Sequence, residues 1–188
     1  MKSLKTLIQR ELQEHKWGFV YLPWIVAAFM SLVVILVYLG LTEVTTENFN
    51  FSTEIYSNPD VIKAMQESTV DQRREAIRAS LLVLGSPLVI ALGFALLAFS
   101  LSTFFDERKD KSIIFWRSLP VSDTYTVFSK LLVATVVAPL LVIPALLFLH
   151  LVSVTAASVF LAASDLFPFT WAWKAYPWFD WVRVIFSL

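Results

Sequence analysis

Several features that mark soluble enzymes are scarce or missing in this sequence. The 188 residues contain no cysteine, four glycines and two histidines, and only 16% of residues are charged. The lack of cysteine excludes a disulfide framework and a thiolate metal site. The sequence has no GxxxxGKS/T phosphate-binding loop, HExxH zinc motif or GxSxG nucleophile motif. The chain therefore carries none of the usual signatures of an ATPase, a metalloprotease or a serine hydrolase.

What the sequence has in excess is apolar surface. Hydrophobic residues make up 57% of the chain and its mean hydropathy is +0.69, whereas soluble domains are about 45–50% apolar. The 15 basic and 15 acidic residues balance, so nothing in the net charge points to nucleic acid. Three long charge-free stretches each exceed the roughly 20 residues that cross a bilayer: Trp17–Thr42, Ala79–Phe105 and Leu131–Ser164.

The third stretch is longer than one simple span requires. As a helix it would reach about 50 Å, against a hydrocarbon core of about 30 Å. Pro139 and Pro144 lie inside it and predict kinks, because proline removes a helical hydrogen bond. A re-entrant segment and two packed spans are alternatives. We favour one long kinked helix, because Leu151–Ser164 is too short to cross alone.

We therefore predict an all-α polytopic membrane protein with a single transmembrane domain over residues 1–188. It has three spans and the start of a fourth, so either the chain is a fragment or its tail lies at the membrane interface. The predicted order is an interfacial helix (1–16), span one (17–42), an external segment (43–78), span two (79–105), a cytoplasmic loop (106–125), span three (126–164), an external aromatic stretch (165–180) and the start of span four (181–188).

Basic residues set the predicted orientation. They concentrate before the first span and in the loop after the second, while the longer 43–78 segment has a lower density of them. Cytoplasmic segments of membrane proteins are enriched in lysine and arginine. We therefore expect a multi-pass membrane protein with a cytoplasmic N-terminus.

The N-terminal segment has a helical apolar period. Leu4, Leu7, Ile8 and Leu12 share one face of a helix, with basic and polar residues elsewhere. Such a helix next to a span is expected to lie in the membrane interface. The alternative is a plain extension of the first span, without a bend near Trp17–Gly18.

The segment between the first two spans divides into two parts. Residues 42–57 show no clear period and are predicted to be a loop. Asn58-Pro59-Asp60 then predicts a helix start, with a capping residue and proline in the first turn. Ser68-x-x-Asp71 is a second candidate start.

The most informative stretch joins the second and third spans. A block of mixed charge, residues 106–111, precedes the amphipathic run Ile113–Trp116. Pro120 ends this run, and Ser122 or Asp123 can cap the next helix. On physical grounds alone, two interpretations remain open: a solvated connector, or a compact knob that inserts Trp116 and Arg117 into a soluble partner.

This stretch closely resembles a known family. The residues Glu107–Thr124, followed by Ser129-Lys130-Leu-Leu and Ala138-Pro139-Leu, resemble bacterial ABC-transporter permeases of the exporter-like "ABC two" superfamily. The resemblance implies that the loop is a coupling helix seated in an ATPase groove. The residues it assigns to coupling are Glu107, Arg108, Lys109, Asp110, Lys111, Phe115, Trp116, Arg117, Pro120 and Asp123.

The resemblance also implies a location in the bacterial plasma (inner) membrane, and a chain truncated relative to a six-span permease. It implies partners as well. A separate cytoplasmic ATPase subunit would bind ATP and Mg, and a second permease copy, identical or different, would complete the pathway in the lipid bilayer. This chain itself would hold no cofactor and no metal, and would be no enzyme. The alternatives are a non-transporting scaffold or sensor, and a membrane-embedded enzyme. His150 in the third span is expected to be a buried, hydrogen-bonded residue, with a metal or proton-relay role as the alternative.

Overall fold

The computed structural model describes residues 2–41, 44–46, 49–51, 58–109 and 123–177, with side chains over 5–41, 58–102, 124 and 127–177. Nearly all of the described chain is helical. Three helical segments are long and apolar enough to cross a membrane: Trp17–Tyr38, Val70–Ser102 and Val127–Ala163. The predicted all-α polytopic fold with three spans is thus confirmed. The predicted start of a fourth span, residues 181–188, lies outside the described residues.

The N-terminal part is an almost continuous helix. Helix α1 (Lys2–Glu14) leads into a π-helical turn (Trp17–Tyr21), and α2 (Leu22–Tyr38) follows. The Leu22 amide donates to the Trp17 carbonyl, five residues back. The wider turn lies just before Pro23, whose ring would otherwise meet the carbonyl four residues earlier.

Helix α2 ends in a left-handed residue. Gly40 has φ of +70°, and the amides of Gly40 and Leu41 donate to the carbonyls of Val37 and Leu36. Glycine adopts this conformation without steric cost, so the helix ends here in a Schellman motif. Two three-residue strands, β1 (Val44–Thr46) and β2 (Phe49–Phe51), then pair antiparallel, where the sequence predicts only a loop.

The two predicted helix starts before the second span are both present, the second shifted by one residue. In α3 (Pro59–Glu67) the Asn58 side chain accepts from the Asp60 amide at 2.9 Å. Helix α4 (Val70–Lys109) is capped by Thr69 rather than Ser68. The Thr69 amide donates to Gln72 Oε1 at 2.9 Å, and the Gln72 amide donates to Thr69 Oγ1 at 3.3 Å. These reciprocal bonds form a capping box.

The long third stretch is a single run of helix. Helix α5 (Asp123–Leu132) continues through a second π-helical turn (Val133–Val137) into α6 (Ala138–Ala163). Pro139 lies just after the π-helical turn, and Pro144 lies within α6. Asp165, with φ of +53°, ends α6 in the same way that Gly40 ends α2. A short helix, α7 (Thr170–Ala175), follows.

The chain forms two compact units, one of Met1–Val26 with Pro87–Leu146 and one of Ala27–Ser86 with Leu147–Leu188. Each has its own apolar cluster. The first unit's cluster is centred on Phe19, Ala95, Phe99, Val133 and Ala138. The second unit's cluster is centred on Leu81, Val154, Ala172 and Tyr176.

Candidate functional site

The loop predicted to couple to a partner lies mostly outside the described residues. This applies to Asp110, Lys111, Phe115, Trp116, Arg117 and Pro120. The backbones of Glu107, Arg108 and Lys109 form the end of α4, and Asp123 opens α5. Two of the membrane helices therefore lead directly into the loop, one from each side.

A buried acid lies at the junction of α1 and α5. The Glu11 side chain is only 2% exposed. Its Oε1 lies 2.6 Å from Arg10 Nη2 and 3.6 Å from Lys130 Nζ. Lys130 is near the end of α5, seven residues beyond its first residue, Asp123. The carboxylate therefore links the N-terminal helix to the helix that leaves the loop.

Two cations explain why an acid can be buried at this position. A carboxylate taken out of water loses several kcal/mol of solvation, and close basic partners have to compensate for that loss. Arg10 also lies 3.4 Å from Glu14, which is 55% exposed. Of the two acids, only Glu11 is held inside the protein. We call Arg10, Glu11 and Lys130 the charge clamp.

The charge clamp lies next to the apolar cluster of the first unit. Leu7 is buried, and Ile8 and Leu12 pack against the cluster. The His15 ring stands edge-on to Phe99 at 4.9 Å. The protein's own residues thus cover part of the face predicted to meet lipid, over Leu7, Ile8 and Leu12. The Leu4 side chain lies outside the described ones.

The same region brings three metal-ligand side chains together. Ligand atoms of Glu11, Glu14 and His15 lie within 4.8 Å of one another. Arg10, however, contacts both carboxylates, and Lys130 contacts Glu11 as well. The geometry is that of an ion-pair network, in which side chains supply the positive charge.

Neither Glu11 nor Lys130 was predicted to be a site residue, although Lys130 lies in the stretch that carries the family resemblance. A signal for Glu11 was present, because it follows Leu7 by four residues and so shares the apolar face of α1. An acid on the apolar face of a helix requires a basic partner. Only the tertiary structure shows that this partner is Lys130.

A second polar feature lies in the third span. His150 is 5% exposed, and neither ring nitrogen has a hydrogen-bond partner among the described residues. The backbone of Leu81 interacts with the ring, at a geometry outside the limits of a close hydrogen bond. His150 is therefore buried, as the sequence predicts.

Aromatic residues in and just after α7 make a group of contacts in the second unit. The Arg73 guanidinium lies over the Trp171 ring, 5.0 Å from its centroid. Trp173 and Tyr176 pack beside each other at 6.0 Å. Burial raises the pKa of the Tyr176 phenol above its usual value of 10.0. Tyr176 belongs to the same apolar cluster as Leu81, and Trp171 and Trp173 pack against that cluster.

Comparison with protein-family models, with curated proteins and with solved structures finds no match to this chain. What the fold establishes is an all-α, membrane-embedded protein with three candidate spans.

Proposed function

We propose that this chain is a membrane-spanning permease subunit of an ATP-driven transporter of the ABC type, working in export. The observation that carries the proposal is the sequence Glu107–Thr124, which resembles the coupling loop of "ABC two" permeases and joins two spans of a polytopic protein. In this proposal the protein resides in the bacterial plasma membrane with its N-terminus and loop in the cytoplasm. A second permease copy and two ATPase subunits complete the assembly.

The helices on either side of the loop are suited to transmit movement. Helix α4 runs from Val70 to Lys109 without a break, a length of about 60 Å. A displacement of the loop would therefore act directly on the loop end of this helix. Helix α5 leads away from the loop, and the charge clamp fastens α1 to it.

The proposed mechanism requires ATP to bind one conformation of the transporter assembly more tightly than the other. ATP closes the ATPase dimer, so nucleotide favours the permease conformation that fits the closed dimer. The charges of residues 107–111 would set the register of docking. Trp116 and Arg117 would supply most of the contact energy, because aromatic and arginine side chains dominate many interfaces.

ATP and Mg would bind to the partner, since this chain has no GxxxxGKS/T loop. The spans of this chain would line part of a pathway for cargo. The charge-free stretches Ala79–Phe105 and Leu131–Ser164 suit a cargo without a strong charge of its own.

The test is co-purification with a candidate ATPase subunit from the same cell. Wild type and the double variant Trp116→Ala/Arg117→Ala would be expressed with that ATPase and isolated in detergent. Loss of two interface anchors is expected to weaken binding by about 2 kcal/mol or more, roughly thirtyfold. The matched control is Lys16→Ala/Trp17→Ala, an exposed basic and aromatic pair outside the loop, which should retain the ATPase.

Two results would count against the proposal. Retention of the ATPase by the double variant at the wild-type level would remove the coupling role from Trp116 and Arg117. Absence of the ATPase from the wild-type protein would favour a scaffold or sensor instead.

A further inference from the structure

In the part of the chain that the structure describes, two of the three spans contain a π-helical turn, and the two turns lie together. The first is Trp17–Tyr21 and the second is Val133–Val137. Phe19 of the first turn and Val133 of the second belong to one apolar cluster. Helix α4 passes the same cluster as ordinary α-helix. Helices bend mainly at prolines and at π-helical turns, and such turns often mark functional sites.

The backbone around the first turn changes its hydrogen-bond spacing repeatedly. The His15 carbonyl accepts from the Gly18 amide at 3.1 Å and from the Phe19 amide at 3.2 Å. The Leu22 amide then donates to the Trp17 carbonyl, five residues back. Bonds to the third, fourth and fifth preceding residue thus follow one another. The helix can change direction here by exchanging one spacing for another, without losing a bond.

Gly18 adds flexibility that packing does not require. A methyl group at this position would lie 3.6 Å from the Ala95 Cβ, which is ordinary van der Waals contact. Alanine would therefore fit, and it favours regular helix more strongly than glycine does. The glycine keeps the first π-helical turn easy to bend.

On the loop side of the two turns, α1 and α5 are fastened to each other. Among the described elements, α1 packs most closely against α5 and the second π-helical turn. Glu11 Oε1 lies 3.6 Å from Lys130 Nζ, and this carboxylate is only 2% exposed. A buried ion pair resists separation, because pulling it apart leaves charges without partners. We call α1 and α5 the helical pair.

Helix α4 meets the N-terminal helix at the level of the first turn. The Phe99 ring stands edge-on to the His15 ring at 4.9 Å and to the Phe19 ring at 5.2 Å. Gly18 faces Ala95, one turn away from Phe99 along α4. Phe99 and Ala95 are therefore placed to act as a pivot when the two turns bend.

We propose that the helical pair pivots on α4 as one body, with the two π-helical turns as its hinge. Because the two turns bend together, movement of the loop at the start of α5 would reach the first and third spans at the same time. That relay rests on the proposed transport function, whereas the pivoting itself does not.

The test uses spin labels on the full chain, which has no cysteine of its own. One label is placed at Gln9→Cys on α1, and the second at Val127→Cys on α5 or at Leu101→Cys on α4; all three positions are exposed. Labels at 9 and 127 both lie on the helical pair, whereas labels at 9 and 101 report across the hinge. Electron paramagnetic resonance in phosphatidylcholine nanodiscs gives the distance distribution of each combination.

Without further substitution, labels at 9 and 101 should give a broader distribution than labels at 9 and 127. The double variant Gly18→Ala/Pro139→Ala favours regular helix at both turns. It should narrow the distribution between 9 and 101 to the width seen between 9 and 127.

Two further variants complete the design. Gly93→Ala is the matched control, because Gly93 lies in α4 with open space around it, and both distributions should stay unchanged. Glu11→Gln should broaden the distribution between 9 and 127, because it removes the charge that holds the helical pair together.

Three outcomes would overturn the hinge. Equal widths for the two combinations of labels, before any further substitution, would show that no pivoting occurs. A distribution between 9 and 101 that is unaffected by Gly18→Ala/Pro139→Ala would locate the movement away from the π-helical turns. Equally broad distributions for both combinations would show that α1 and α5 do not move as one body. None of these measurements involves an ATPase, so their failure is distinct from failure of the proposed function.

Discussion

Among single residues, Glu11 depends most on its neighbours. A carboxylate that is 2% exposed would be strongly destabilising without Arg10 and Lys130. Replacing a buried ion pair by well-packed apolar groups can be neutral, but removing one partner leaves the other charges uncompensated. The clamp therefore matters more for fixing α1 against α5 than for adding net stability.

We expect Glu11→Ala to lower the free energy of unfolding by about 3–5 kcal/mol, as for other buried pairs that lose one member. Glu14→Ala, which removes an exposed partner of the same Arg10, should change it by less than about 1 kcal/mol. Equilibrium unfolding in mixed detergent micelles measures both.

A double-mutant cycle tests the link between the two helices. If the clamp couples α1 to α5, Glu11→Gln and Lys130→Gln together should cost clearly less than the sum of the single changes. Additive costs would mean that Glu11 and Lys130 do not interact in solution.

The buried Tyr176 phenol makes the free energy of unfolding depend on pH in the alkaline range. Burial raises the pKa of its phenol in the folded protein above the usual 10.0, so the folded state favours the neutral form. This stabilisation is fully present below pH 10 and is lost as pH rises through the folded pKa. Unfolding measured from pH 8 to 11 should show stability falling more steeply in wild type than in Tyr176→Phe. Equal slopes would assign the effect to other groups.

Among the elements, the two π-helical turns share one cause. Each spans five residues and is followed, after one further residue, by a proline: Trp17–Tyr21 before Pro23, and Val133–Val137 before Pro139. Proline cannot donate to the helix and its ring crowds the preceding turn. A wider turn moves the crowded carbonyl away while the chain stays helical.

Pro139→Ala is therefore expected to convert Val133–Val137 to ordinary α-helix and to raise the free energy of unfolding by about 1–3 kcal/mol. Backbone carbon shifts of these residues report the change. Pro87→Ala is the control, because Pro87 lies within α4 without a π-helical turn before it, and shifts before residue 87 should change little. Survival of the π-helical turn in Pro139→Ala would show that packing, not proline, creates it.

Local signals in the sequence predict these elements unevenly. Asn58 was recognised as a cap because capping depends on a few adjacent residues. Ser68 was predicted as a second cap because Ser68-x-x-Asp71 fits a capping pattern. Thr69-x-x-Gln72 fits one as well, and the structure uses that pair. The hairpin of Val44–Thr46 with Phe49–Phe51 was missed, since three-residue strands are too short to show a period.

For the whole molecule, hydropathy was sufficient to predict the three spans, because the cost of charge in lipid is large. The contacts between helices were not predictable, since the apolar faces in a membrane protein do not distinguish protein from lipid. Leu7, Ile8 and Leu12 illustrate this: their period predicted an apolar face, but not that part of it is covered by the protein.

The proposed orientation can be tested cleanly because the chain has no cysteine. In intact cells, a membrane-impermeant maleimide should label Asp71→Cys, an exposed position at the start of α4, but not Lys5→Cys. Permeabilised cells should give labelling at both positions. The reverse pattern in intact cells would place the N-terminus outside and remove the loop from reach of any cytoplasmic ATPase.

In the proposed mechanism, the loop between the second and third spans docks on a separate ATPase. The most direct measurement places a photoreactive amino acid at Trp116, with Thr69, an exposed residue at the other end of α4, as the matched control. We expect an ATPase cross-link from position 116 whose yield changes with ATP, and none from position 69. No cross-link from position 116 in a complex that still contains the ATPase would show that the loop does not dock on it.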